Sequence, residues 1–304
     1  MNFWLWVSFP YLIFGALSLK KSAEGRESPL SSPRKSWGLL DCIVLIALMD
    51  LPSVVFKVTP EYLPMLSNSI GRILRNLYSL IVFVIYVRYR FKQPFSALGL
   101  HTHSLPTNIL CGLQWILPLT LVSTIVEFCY IYFKLPAIEA NKNLSVQWLR
   151  VEDPWIAFLS GLILLVVLGP LGQELIYRGF FYGPIRYRVS KKMAILLSSA
   201  IFYSFHVPPS AHWPPFTTFL LGCLCAYLFE ERQSLVPGII AHGFWNLIVF
   251  LRQLSRHNRL PFVPAGHLVE FLSVLLVGQA ILFLIVYRLY QQAELRTISG
   301  TGEG

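Results

Sequence analysis

Ile163-Leu164-Leu165-Val166-Val167-Leu168-Gly169-Pro170 runs directly into Leu171-Gly172-Gln173-Glu174-Leu175-Ile176-Tyr177-Arg178, so a carboxylate and a guanidinium follow a stretch suited only to lipid or a buried core. Placing either charge at the centre of a membrane helix costs at least about 2.5–3.5 kcal/mol. Residues kept at that cost read as functional. On a helix Glu174 and Arg178 are i,i+4 neighbours, about 40° apart around the axis, and pairing offsets the burial of each. The competing reading of this pair is a structural ion bridge between helices.

Outward from that stretch the composition is uniform. Hydrophobic residues make up 55% of the 304 and charged ones 13%, against roughly 25% charged in a soluble domain. Mean hydropathy is +0.59. A membrane crossing needs roughly 20 apolar residues, and stretches of that kind recur at 2–18, 37–57, 74–90, 108–133, 155–177, 193–207, 215–229, 236–251 and 269–288. Those at 193–207 and 215–229 are short. The expectation is an all-α, polytopic transmembrane bundle of about eight to nine spans. Residues 1–150 supply the N-terminal helices and their connections, 151–290 a core carrying the chemistry, and 291–304 a flexible tail.

The net charge of +10 does not point to nucleic acid. Lys20, Lys21, Arg26, Arg34 and Lys35 follow the first span, Arg88, Arg90 and Lys92 the third, and Arg186, Arg188, Lys191 and Lys192 the fifth. Positive residues in alternate connections mark the cytoplasmic side, with Arg252, Arg256 and Arg259 as the exception. The N-terminus is therefore expected outside and the C-terminus in the cytoplasm, the basic surface facing anionic lipid. The first span lacks a basic leader and a cleavage site, and reads as a retained anchor. Cys42, Cys111, Cys129, Cys223 and Cys225 all lie in apolar stretches and read as packing residues.

Polar side chains concentrate in three helices of the second half. The first carries Gln173, Glu174 and Arg178. A second ends in Phe202-Tyr203-Ser204-Phe205-His206, before Pro208 and Pro209, with His212 beyond. The third, Ile239-Ile240-Ala241-His242-Gly243-Phe244-Trp245-Asn246, sets His242 and Asn246 on one face, and Gly243 permits close helix approach. In the first half only Asp41, Asp50 and Glu127 interrupt the spans, and they read as structural or interfacial.

E-x-x-x-R, F-x-x-x-H and H-x-x-x-N, each in its own apolar helix over about 155–250, resemble the motifs of the CPBP family of intramembrane proteases, the CAAX prenyl endopeptidases and their bacterial relatives. Gly169-Pro170-Leu171-Gly172-Gln173-Glu174-Leu175-Ile176-Tyr177-Arg178-Gly179 looks like the family's first motif. The resemblance implies an endopeptidase acting on a lipidated or membrane-anchored peptide. By carry-over, His206 assists the attacking water, His242 and Asn246 hold the oxyanion, and Arg178 orders the site through Glu174. It implies no cofactor; Glu174, His206 and His242 form the alternative, a zinc-type ligand set.

One position departs from the family pattern. Its first glutamate falls on Gln173, whose carboxamide can bind a water but cannot take its proton. Three arrangements stay open: Glu174 re-aimed as base, His206 as sole base, or a protein that binds membrane substrates without cutting them, as a scaffold or immunity factor. A transporter is disfavoured, since no inverted repeat is visible and the polar groups occupy one half. The expected setting is an integral membrane protein, with a bacterial inner membrane first and the endoplasmic reticulum as alternative.

Overall fold

The computed structural model describes residues 38–58, 69–92, 94–101, 104–133, 153–206, 216–256, 261 and 268–300. The expected first span 2–18, the connection at 20–35, His212 and residues 301–304 lie outside them. Every regular element among the described residues is helical. They are α1 (Leu39–Val58), α2 (Ser69–Ile85, prolonged by the π-turn Tyr86–Arg90), α3 (Leu105–Leu113), α4 (Ile116–Tyr132), α5 (Pro154–Arg188), α6 (Lys191–Ser204), α7 (Phe216–Arg232), α8 (Val236–Arg256) and α9 (Leu268–Gly300). The stretch expected as one span at 108–133 breaks at Gln114-Trp115. Pro118 is the cause: it has no N–H to give a preceding turn, and a proline is tolerated in the first turn of the helix that restarts at Ile116.

Leu105–Val122 and Pro154–Arg188 are, among the described residues, the two stretches long and apolar enough to cross a membrane by length and composition. α6, with 14 residues, and α7, with 17, are indeed short of the roughly 20 that a crossing needs. Large apolar side chains are exposed on several described helices, among them Leu74, Ile125, Val167, Leu196, Val274 and Leu284.

α5 organises the interior. Asp153 caps it, its carboxylate accepting from the backbone N–H of Trp155 (2.7 Å) and Ile156 (3.1 Å), and Pro154 takes the first helical position where no N–H is needed. Further along, the Phe180 ring packs against Phe83, Tyr86 and Phe91, joining α5 to α2 and its π-turn. That cluster includes Cys42 and Leu45 of α1, Phe202 of α6 and Phe229 of α7. Asp41, expected to be structural, caps its own helix by accepting from the Gly38 N–H at 2.9 Å and also accepts from the Tyr86 hydroxyl at 3.3 Å. The side chains of Asp50 and Glu127 lie outside the described set.

α6 packs on α7, α7 on α8, and α8 on both α3 and α5. The turn joining α7 to α8 is held by the segment before α3. Gly99, at φ +88°, accepts from the Leu235 N–H at 2.9 Å, and a Cβ there would meet the Phe229 ring at 2.7 Å. α5, α6, α7 and α8 thus surround one small volume.

Candidate active site

Two π-turns interrupt α5, at Leu162–Leu168 and Leu175–Phe181. Their bonds run from residue i to i+5, as the Gly169 N–H to the Leu164 carbonyl shows. The next such bond would join the Leu165 carbonyl to the nitrogen of residue 170. That residue is Pro170, which has no hydrogen to give. Leu165 is left with an open acceptor, and the Asn246 side-chain amide of α8 fills it at 2.8 Å. Close approach is needed for that bond, and Gly243 provides it: a Cβ there would lie 2.7 Å from the Val166 carbonyl oxygen. So Pro170 of α5 and the distant Gly243 and Asn246 of α8 act together to seat α8 on α5.

One turn along α8 from Asn246, the His242 Nδ1 stands 2.9 Å from the Glu174 Oε1. An ionised carboxylate only accepts, so Nδ1 donates. The same oxygen accepts from Arg178 Nη1 at 3.0 Å, and all three side chains are buried. Arg178 also donates through Nη2 to the Gly222 carbonyl of α7 at 2.8 Å, and its guanidinium lies 4.6 Å above the Phe202 ring of α6. The expected i,i+4 pair exists, and it ties four helices rather than two. Gly238 leaves room for the carboxylate, since a Cβ there would sit 3.3 Å from Glu174 Oε2.

His206 follows the last turn of α6. Its Nδ1 donates to the Phe202 carbonyl at 2.7 Å, and its ring lies 4.2 Å from the Phe202 ring, centre to centre. The His242 ring meets the same Phe202 edge-to-face at 5.6 Å. The two imidazoles therefore share one aromatic neighbour, which with Arg178 makes Phe202 the hub of the site. Phe202 opens the F-x-x-x-H motif, so its place was written there, although its contact with His242 was not. Gln173 sits on α5 beside Glu174, its Oε1 buried and without a hydrogen-bond partner among the described residues.

Sequence reasoning passed over Cys225. Its thiol lies with Glu174 and His242 so that their donor atoms are all within 4.8 Å of one another. His206 is not part of that group, which differs from the expected zinc set of Glu174, His206 and His242. The Arg178 guanidinium already neutralises that carboxylate, bonding the same Oε1 that His242 holds. No local signal distinguishes Cys225 from Cys223 in their shared apolar helix.

Residues 155–248 match the family model described as type II CAAX prenyl endopeptidase, Rce1-like. That segment resembles the CPBP family. Among curated proteins it is similar to the UPF0177 protein YbdI of Lactococcus lactis subsp. lactis (strain IL1403), 28% identical over 163 residues that cover 50% of this chain and 83% of the relative. The UPF0177 protein YxdF of the same organism is 29% identical over 84 residues, 28% of this chain and 45% of that protein. No solved structure matches. Every residue of the CPBP-like site just described, from Leu165 to Asn246, falls inside the matched segment.

Proposed function

We propose that this chain is a CPBP-family intramembrane endopeptidase of the CAAX-protease type, hydrolysing a peptide bond of a lipidated or membrane-anchored substrate with water. The observation that carries the reading is the shared Phe202 ring, which His206, His242 and the Arg178 guanidinium all contact, with Arg178 in turn paired to the buried Glu174. Hydrolysis of an amide needs a base for water and donors for the oxyanion. Gln173, Glu174, Arg178, His206, His242 and Asn246 offer both kinds of group within a few turns.

The setting we propose is a polytopic bundle of eight to nine spans with its N-terminus outside, in a bacterial inner membrane. Exposed leucines, isoleucines and valines on α1, α2, α4, α5, α6 and α9 support it, as do bacterial relatives. Partners are then membrane lipids and a membrane-held peptide, with no role for nucleic acid. The site works without metal, and protein purified without added zinc should carry far less than one equivalent.

Purified protein in lipid vesicles should cleave members of a panel of lipidated and transmembrane peptides. His206→Ala should abolish cleavage, and Gln173→Glu, by supplying a carboxylate, should raise it. A second reading has one observation in its favour: the family's first glutamate is here a carboxamide with a buried, unpartnered oxygen. On that reading the protein is a catalytically impaired scaffold or immunity factor. It prevails if neither the wild type nor Gln173→Glu, both folded, cuts any peptide.

A further inference from the structure

We infer that His242 is the general base of this site and Glu174 its positioning residue, so that the proton-accepting role absent at residue 173 has passed to α8. The inference rests on the endopeptidase reading above and assigns the chemistry within it.

Both histidines have one ring nitrogen committed. Nδ1 of His206 donates to a backbone carbonyl and Nδ1 of His242 to a carboxylate, and neither acceptor can donate in return. In the neutral rings each Nε2 is then a bare lone pair. No described group hydrogen-bonds to either Nε2. Two acceptors beside one aromatic ring suit a water that donates one hydrogen to each, which leaves the oxygen lone pairs for attack.

What stands behind each ring decides which one takes the proton. Behind His206 is the neutral carbonyl of Phe202. Behind His242 is Glu174, a carboxylate fixed by Arg178 in a buried site. A carboxylate that holds Nδ1–H sets the tautomer and stabilises the imidazolium as it forms. Gln173 cannot compete, because an amide accepts hydrogen bonds but not protons.

The step balances. The water O–H breaks, its proton goes to His242 Nε2, and the oxygen bonds the scissile carbonyl carbon while the C=O electron pair moves onto oxygen. Collapse of that intermediate breaks the C–N bond, and the leaving nitrogen takes the proton back from His242 Nε2. One water is consumed, one carboxylate end and one amine end are released, and the imidazole is restored. Asn246 spends one amide hydrogen on Leu165 and keeps the other for the oxyanion.

The test uses the full chain in lipid vesicles with a peptide that the wild type cuts. His242→Gln retains an N–H donor but no proton acceptor. If His242 is the base, kcat should fall about 10²–10⁴-fold, and adding Gln173→Glu should recover cleavage. If His242 serves only as an oxyanion donor, glutamine replaces it, and activity within about tenfold of wild type overturns the inference. Should His242→Gln fail to fold, ¹⁵N-histidine spectra of the wild-type protein at neutral pH decide. A proton on Nδ1 and a bare Nε2 at His242 uphold the assignment; a protonated Nε2 overturns it. The role of Glu174 is read separately: Glu174→Gln should lower kcat at unchanged KM and move the Nδ1 resonance. A wild type that cuts no peptide overturns the endopeptidase reading itself, a result distinct from any difference between variants.

Discussion

Arg178 concentrates the energetic risk of this molecule in one side chain. It is buried, it holds Glu174 and the Gly222 carbonyl, and it covers Phe202. Removing one partner of a buried ion pair leaves an uncompensated charge and costs about 3–5 kcal/mol. Arg178→Met should therefore lower stability by that amount, read as a thermal shift in detergent. Phe202→Leu tests a different function of the site. It keeps an apolar side chain but removes the surface against which both imidazoles rest. Cleavage should fall at least tenfold for a loss of roughly 1–1.5 kcal/mol in stability, measured on the same sample. The charged and imidazole residues of the site were legible in the sequence because lipid-like surroundings make any ionisable residue conspicuous. Cys225 was not legible, since a thiol in an apolar helix is chemically at home wherever it points.

At the scale of elements, the contact between α5 and α8 depends on what is missing as much as on what is present. Gly243 has no Cβ to strike the Val166 carbonyl, and Pro170 has no hydrogen to occupy Leu165. Gly243→Ala should push the helices apart, break the Asn246 bond and cost about 1–3 kcal/mol. Gly172→Ala is the natural contrast, because nothing lies within 4 Å of the added carbon. It should be neutral or stabilising by about 0.4–1 kcal/mol, and a melting curve of each distinguishes them. The sequence predicted helices here but not their π-turns. A run such as Leu162–Leu168 is apolar on every side, so no periodicity records whether bonds close at i+4 or i+5. Deleting one residue from the α-helical turn between the two π-turns, within 169–173, should turn Glu174 and Arg178 by about 100° relative to the start of α5. Such a deletion is expected to abolish cleavage as fully as loss of His206.

For the whole molecule, the apolar exterior and the alternating basic connections were both plain in the sequence, which is why an all-helical, membrane-type architecture could be expected. The breaks between helices were harder to place. Pro118 falls in the first turn of a restarted helix rather than ending a span, a choice that apolar composition alone does not record. Two of the four helices around the site, α6 and α7, are short. α6 rises about 21 Å and α7 about 25 Å at 1.5 Å per residue, whereas the hydrocarbon interior is about 30 Å thick. In the polytopic bundle proposed above, lipid beside these two helices would thin to meet them, at fractions of a kcal/mol per ångström. Such a dimple brings headgroups and solvent toward His206 at the end of α6. It also makes catalysis sensitive to acyl-chain length: cleavage should be faster in vesicles of short-chain phosphatidylcholine than in long-chain ones at equal fluidity, a comparison that stopped-flow or endpoint assays can make directly.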